Sequence, residues 1–394
     1  MKRFPLVLLL SIPSTLFASG LSKPVYVGPK AIGMGGAFVG VADDPTAIYH
    51  NPAGITQLSG YQVEAGMDGL ITAEEYTPPG GAPPENADTE FIPVPNFAFV
   101  SDFLKPVWLG IGVFFPHGNG GKYPTASAAP FNPTEGRIYS MEIAPAVAWK
   151  IIPELSLGGS LRMVRVSSEL KGQALPGGGT LEDLDQAGWG VGGSAALMFT
   201  PCPYFSLGVN YRTGVTADLT GTATFSGIPG LGTLPSSLDQ RLPTQVNVGL
   251  SAKPIEKLTV AVAYGWERNS EIENLVLNVS APVGTIISPQ NWEDSHTIHF
   301  GGEYWILPEL AGRLGYAKDL VDSIPDPAMN RVVGDIAAHE VSAGLAYKWS
   351  RYTFAGTWNA RFGERDIPLN AVNPSPGHYD AIVQAISLAV GVSL

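Results

Sequence analysis

This sequence is as informative for what it lacks as for what it holds. It has a single cysteine, Cys202, so no disulfide can form within the chain. The lone thiol is expected to be a buried bystander rather than a reactive group. After the N-terminus no apolar run reaches the roughly 18 residues that a transmembrane helix needs; Gly or a polar residue interrupts each one. Basic residues are scarce, with 23 Lys and Arg against 35 Asp and Glu and a formal charge of −12. A surface without basic patches excludes nucleic acid as a partner. Charged residues make up only 15 % of the chain while hydrophobic residues make up 45 %, which excludes a disordered polypeptide.

Glycine and proline are abundant, at 47 and 34 residues. Together with the apolar content this suggests many short strands, tight turns and small side chains on one face of each strand. The N-terminus has the layout of an export signal, with Lys2 and Arg3, an apolar run from Phe4 to Ile12, and small residues at Ala18 and Gly20. We expect cleavage after one of the last two, making residues 1–20 a signal peptide. Its removal takes the formal charge from −12 to −14.

Alternation with period two dominates the rest. In the last segment Ile386, Leu388, Val390, Val392 and Leu394 share one face, and Ala385, Ser387, Ala389, Gly391 and Ser393 the other. Leu258, Val260, Val262, Tyr264 and Trp266 likewise oppose Thr259, Ala261, Ala263 and Gly265. A soluble sandwich would place Lys, Glu and Thr on the second face. Ala, Gly and Ser there fit a wall with lipid outside and a crowded lumen inside. Aromatic residues such as Trp149, Tyr211, Tyr304, Tyr347 and Trp349 fall near strand ends, as in an interfacial girdle. The predicted fold class is therefore all-β, a transmembrane antiparallel β-barrel of about 14 strands. These strands fall at 60–70, 92–104, 107–116, 136–150, 154–170, 187–200, 203–222, 241–253, 257–277, 292–306, 309–318, 337–350, 351–363 and 379–394. Long Pro/Gly/Asp-rich loops, including 171–186, 223–240 and 278–291, are expected on the outer side. Short turns such as Pro153-Glu154 and Pro308-Glu309 are expected on the periplasmic side.

Residues 21–59 do not alternate. Asp44-Pro45 and Asn51-Pro52 each read as a helix start, an Asx cap followed by proline at the first position. Gly33, Gly35, Gly36 and Gly40 allow sharp bends and close approach of backbone. The segment is expected to be a hatch inside the lumen, with residues 60–394 forming the barrel. Gly33-Met34-Gly35-Gly36 lacks the spacing and the βαβ context of a nucleotide loop.

Candidate chemistry is sparse. His296 and His299 lie three apart, so on a strand they point to opposite faces and cannot share a metal. Glu182, Asp183 and Asp185 read as a solvated acidic loop, since their spacing matches no calcium loop. His50 is expected to be a hatch contact. No catalytic constellation, metal site or cofactor site is expected. The third strand departs from pattern: with Val107, Leu109, Ile111, Val113 and Phe115 outward, Trp108, Gly110, Gly112, Phe114 and Pro116 face the lumen. These large apolar residues either pack against the hatch or line an apolar ligand path.

The stretch AIGMGGAFVGVADDPTAIYHNPAGITQL resembles the N-terminal hatch of the FadL/TodX-type outer-membrane transporters. Gly35-Gly36-Ala37, Ala42-Asp43-Asp44 with Pro45, and Asn51-Pro52-Ala53 carry the likeness. Val94-Pro95-Asn96, Pro116-His117-Gly118, Tyr211-Arg212-Thr213 and Asp322–Arg331 follow in the family's order, so the likeness spans nearly all of the expected mature chain. It implies a fourteen-stranded barrel with a luminal hatch, and a third strand that is kinked beside a lateral gap, where Gly110, Gly112 and Pro116 permit a bend. It also implies outer-membrane location, with lipid, lipopolysaccharide and the barrel assembly machinery as partners. Two departures stand out. The chain ends in Leu394 where such barrels commonly end in Phe, and only Lys171 falls where fatty-acid relatives hold the ligand carboxylate. The implied function is passive uptake of hydrophobic small molecules, long-chain fatty acids or aromatic hydrocarbons, with lateral release into the membrane. The alternative is a barrel of this type serving in protein secretion or shuttling. A lipid hydrolase lacks an identifiable nucleophile.

Overall fold

Strand alternation here becomes one sheet closed on itself. The structure is a computed structural model that describes residues 27–124, 127, 132–175, 178–332, 334–370, 373 and 375–394. The signal-peptide segment and residues 21–26 of the hatch lie outside the described residues.

Nineteen strand segments form a single antiparallel sheet. The first seven are β1 (Tyr61–Thr77), β2 (Glu85–Asn86), β3 (Phe91–Leu104), β4 (Val107–Lys122), β5 (Glu135–Ile152), β6 (Leu155–Ala174) and β7 (Thr180–Cys202). Then come β8 (Phe205–Arg212), β9 (Val215–Ser226), β10 (Thr233–Leu242), β11 (Thr244–Ile255), β12 (Leu258–Arg268) and β13 (Asn274–Val279). The last are β14 (Gly284–Pro289), β15 (Ser295–Trp305), β16 (Leu310–Asp319), β17 (His339–Trp349), β18 (Tyr352–Ile367) and β19 (Gly377–Ser393). The pairs β8/β9, β10/β11, β12/β13 and β14/β15 are broken halves of single crossings, and β2 is a short hairpin edge. The wall therefore crosses fourteen times, as the alternation predicts. It closes where β1 pairs with β19, from Gln62 opposite Ser393 to Thr77 opposite His378. Closure leaves no free first or last strand, so the wall pairs its backbone groups along its seams without water, apart from one gap between β3 and β4.

The faces follow the pattern. Ile386 and Leu388 are 51 % and 60 % exposed, and Ala385 and Ser387 between them are fully buried. Several crossings run 16 to 23 residues, well beyond the roughly 9–11 that span a bilayer. The wall thus continues past the membrane as paired ladder. For this reason β10 and β14 occupy ground expected to be loop at 223–240 and 278–291. Glu182, Asp183 and Asp185 correspondingly lie on β7 rather than in a loop. Breaks fall where a residue cannot extend the ladder, as at Gly214 and Pro243, or at the 3-10 turn Asn269–Glu271.

Inside the wall lie α1 (Pro29–Gly33), α2 (Ala47–His50) and a 3-10 turn over Pro52–Gln57. α1 contacts β16 to β19, α2 contacts β4 and β5, and the 3-10 turn contacts β4 to β7. Asp44 does not cap a helix starting at Pro45. Its carboxylate accepts from the Thr46 amide at 2.9 Å and the Thr46 hydroxyl at 2.5 Å, and the helix begins at Ala47. The second device works as read: Asn51 Oδ1 accepts from the Ala53 amide at 3.1 Å, with Pro52 at the first position.

Candidate functional site

An irregular segment enclosed by a barrel leaves its carbonyl oxygens without partners unless the wall supplies donors. This wall does so from many directions. Asn210 Nδ2 donates to the carbonyls of Tyr49 and His50 at 3.2 and 2.9 Å, and Arg212 donates to Tyr49 at 3.0 Å. The Arg212 guanidinium also stands 3.9 Å from the centre of the Tyr49 ring. Ser206 and Ser251 both donate to the Gly40 carbonyl, and Thr357 donates to that of Pro29 at 2.8 Å. Asn51 reaches back to the wall through Leu197 O at 3.1 Å and to Val39 O at 2.8 Å. Arg212 is itself held with Arg162 on the buried carboxylate of Glu142, at 2.7 and 3.1 Å.

The hatch glycines are required by two constraints at once. Gly35 and Gly36 have φ of +59° and +79°, and a Cβ on Gly36 would stand 2.7 Å from His299 Nδ1. His299 instead meets the Gly35 oxygen at 2.7 Å. Asp43 and Glu303 flank Lys30, each at 2.9 Å; burial pulls the ammonium down, but these two carboxylates outweigh it and hold it above its ordinary value. His50 Nε2 meets Val27 O at 2.8 Å. Burial pushes the His50 imidazole down to about 4, with the Arg212 and His299 charges adding to the effect.

The lumen-facing side of β4 splits between hatch and cavity. Trp108 is buried and donates its indole N–H to Leu58 O at 2.9 Å. A Cβ on Gly110 would lie 2.8 Å from Ile48 Cδ1, and one on Gly112 would lie 3.3 Å from Ile48 Cγ2. Phe114 is fully buried and meets Tyr49 edge-on at 5.7 Å. These four residues pack against the hatch. Pro116 lies beyond them and lines a cavity.

That cavity, of about 390 Å³, is bounded by β1, β3, β4, β5, β18, β19 and residues 329–331 and 334–336. Its lining includes Leu70, Ile92, Val94, Ile138 and Val383. It reaches the wall where a seam is incomplete. β3 pairs with β4 from Leu104 opposite Val107 up to Phe97 opposite Val113, and no further among the described residues. Phe91 to Asn96 pair only with β1, and His117 to Lys122 only with β5. A bulge between Phe114 and His117 bends β4 at this point. Higher up, Asp88 N donates to Lys122 O at 2.7 Å, so the opening is a framed window in the wall. Pro93 and Pro95 on one side and Pro116 on the other lack N–H donors, and a seam with prolines on both sides cannot carry a full ladder.

Lys171 is elsewhere. It sits on β6 with Glu169 at 3.5 Å and Glu135 at 3.7 Å, and it does not line the cavity. Cys202 is exposed rather than buried, because β7 ends there in the turn to Phe205. His296 and His299 do point apart: His296 bonds the Tyr264 hydroxyl at 2.6 Å, while His299 holds the hatch. The sequence reading missed a cross-strand group at the outer end of β18 and β19. There Glu364, His378 and Asp380 bring ligand atoms within 4.8 Å of one another, and Asp366 and Asp380 already take both His378 nitrogens. Pairing of Glu364 opposite Asp380 brings them together, and register cannot be read from the strands separately.

A closed barrel with a side-chain-anchored segment in its lumen and a window in its wall has the architecture of an outer-membrane transport barrel. The chain belongs to the outer membrane protein transport family OMPP1/FadL/TodX, whose family model matches residues 27–372. It lies in the outer membrane, as that family's β-barrels do. A Pseudomonas aeruginosa FadL homologue is 16 % identical with a TM-score of 0.82, covering 95 % of this chain and all of that one. The Pseudomonas putida toluene transporter TodX is 18 % identical with a TM-score of 0.79, covering 93 % and 98 %. The Ralstonia pickettii toluene transporter TbuX is 18 % identical with a TM-score of 0.75, covering 95 % and 99 %. At these identities the three structures speak to the fold. No curated protein sequence matches the chain.

Proposed function

We propose that this protein is a passive channel that admits hydrophobic small molecules and releases them sideways into the outer membrane. The observation that carries this reading is the window between β3 and β4, onto which a largely apolar cavity opens. At about 390 Å³ the cavity falls within the roughly 300–1,000 Å³ of small-molecule sites. A lateral route suits apolar cargo, since leaving through the wall avoids periplasmic water and the cost of hydrating apolar surface. The hatch closes the axial route, and its many wall contacts favour a resting state that blocks ions. Lipopolysaccharide and outer-membrane lipid surround the barrel, and the assembly machinery inserts it. The secretion or shuttle alternative is not favoured, because the opening is lateral, apolar and small.

The reading is tested in proteoliposomes by following uptake of toluene and of a long-chain fatty acid. Faster entry than into empty liposomes, abolished by bulky residues on both sides of the window (Val94→Trp with Gly118→Trp), supports it. Equal entry with and without the folded barrel overturns it.

A further inference from the structure

The cavity is not evenly lined, and its polar groups are matched in a lopsided way. Three guanidinium groups border it, and each already has a carboxylate: Arg137 meets Glu90 at 2.5 Å, Arg331 meets Glu85 at 2.6 Å, and Arg361 is paired with Asp319. Glu74 is the reverse case. It lies on the lumen face of β1, half-buried, and its side chain has no hydrogen-bond or ion-pair partner among the described residues. The geometry beneath it is open for a reason. A Cβ on Gly121 would stand 3.1 Å from Glu74 Oε2 and 3.7 Å from Tyr123 Cε2, so glycine there keeps the carboxyl and the Tyr123 ring facing clear space. Tyr123 is fixed by Arg331, which stacks 4.4 Å from its ring centre. Leu70 and Thr72 lie below Glu74 on the same face of β1, and Ile92 of β3 stands opposite Leu70, with Val94 two residues further on opposite Asp68.

We infer that the cavity selects apolar molecules bearing one hydrogen-bond-donating end group, amines above all, with the donor on Glu74 and the apolar body toward the window. This deepens the channel reading above and rests on it. A carboxyl group in an apolar cavity without a partner is unfavourable, and a ligand that brings the donor relieves that cost. An ammonium gives the charge-assisted form of the bond, and a hydroxyl the weaker neutral form. A carboxylate ligand meets the opposite situation: it would face Glu74, and among the described residues each of the three guanidinium groups at the cavity is already claimed. The position of Lys171, away from the cavity, agrees with that. Fatty acids are thus disfavoured relative to amines and alcohols of equal length.

The test measures octylamine, octanol and octanoate binding to the full barrel in nanodiscs by calorimetry, with empty nanodiscs subtracted. Wild type is expected to bind octylamine about tenfold or more tighter than octanoate, the size of one charge-assisted hydrogen bond. Glu74→Gln, which keeps shape, should remove most of that difference while leaving octanol within about threefold. Glu74→Lys should turn the preference toward octanoate. Heat-modifiable migration on gels verifies folding of each variant. Octanoate binding as well as octylamine in wild type, or a preference that survives Glu74→Gln, overturns the inference and leaves the channel reading intact. Failure of all three ligands to bind a folded barrel overturns both.

Discussion

Arg137 of β5 reaches past the β4 backbone to place its guanidinium 2.5 Å from Glu90, just ahead of β3. The ion pair spans the upper part of the window, where no strand pairing ties β3 to β4. Arg137 is 40 % exposed, so the pair contributes little to stability, about 0–1 kcal/mol. Its leverage is on passage. Cysteines at 90 and 137 in a Cys202→Ser background, joined by a short bis-maleimide, should slow entry of a hydrophobic probe severalfold without altering gel migration. Unchanged entry after complete crosslinking would remove the window from the pathway.

Gly110, a candidate for the ligand path or for hatch packing on sequence, lies beneath Ile48 of the hatch. A large residue there should therefore act on the hatch first. Gly110→Leu must displace Ile48 by an ångström or more, and overpacking of this kind costs about 1–3 kcal/mol. The expected outcome is a folded barrel with higher leak conductance in planar bilayers. A variant that loses hydrophobic uptake at unchanged leak would place Gly110 in the ligand path after all.

Asn51 joins three parts of the structure by capping the 3-10 turn and bonding both Val39 and Leu197. Asn51→Ala leaves two carbonyl oxygens and one amide without those partners, at a cost of roughly 2–3 kcal/mol. The loss should appear as faster protease cleavage within 27–59 while the barrel stays resistant. Equal cleavage rates in variant and wild type count against this account.

Hatch docking should also respond to pH through His50. In the released, hydrated hatch the imidazole takes a proton as pH falls through its ordinary value of 6.5; in the docked hatch it does so only at about 4. The released state therefore binds more protons between those values. Docking has its full strength above about 6.5 and weakens as pH falls toward 4. Leak conductance should rise between pH 7 and pH 4.5, and His50→Gln, which keeps a donor for Val27 O but does not titrate, should flatten that rise. An identical pH profile in the variant would assign the effect to other groups.

The barrel was legible because its signal is repeated fourteen times: lipid demands Ile, Leu or Val at every second position, and a crowded lumen demands Ala, Gly or Ser between them. That residues 27–59 lie inside the wall was suggested by the opposite property, a glycine-rich stretch with no alternation, although only the Asn51-Pro52 device caps as read. β10 and β14 were not legible, since sequences such as TLPSSLDQRL extend the wall above the membrane, where neither face meets lipid. Trp108 and Phe114 were recognised as inward and large, and only the position of Ile48 and Tyr49 decides that they serve the hatch. The lateral gap came only with the family resemblance, and Glu74 escaped altogether, because each is defined by missing partners. An unpaired seam or an unpaired carboxyl is a property of three-dimensional neighbours, and no residue type announces it.

The seam between β1 and β19 joins the first strand of the wall to the last. Until β19 is in place the cylinder has no inside, yet the segment that fills it precedes β1 and is joined to it only through Leu58, Ser59 and Gly60. Its anchors are scattered from Trp108 on β4 to Thr357 on β18. No partial wall offers more than some of them. The segment therefore completes its set of contacts only when the wall is closed, and a barrel with an open seam cannot hold it as the closed one does.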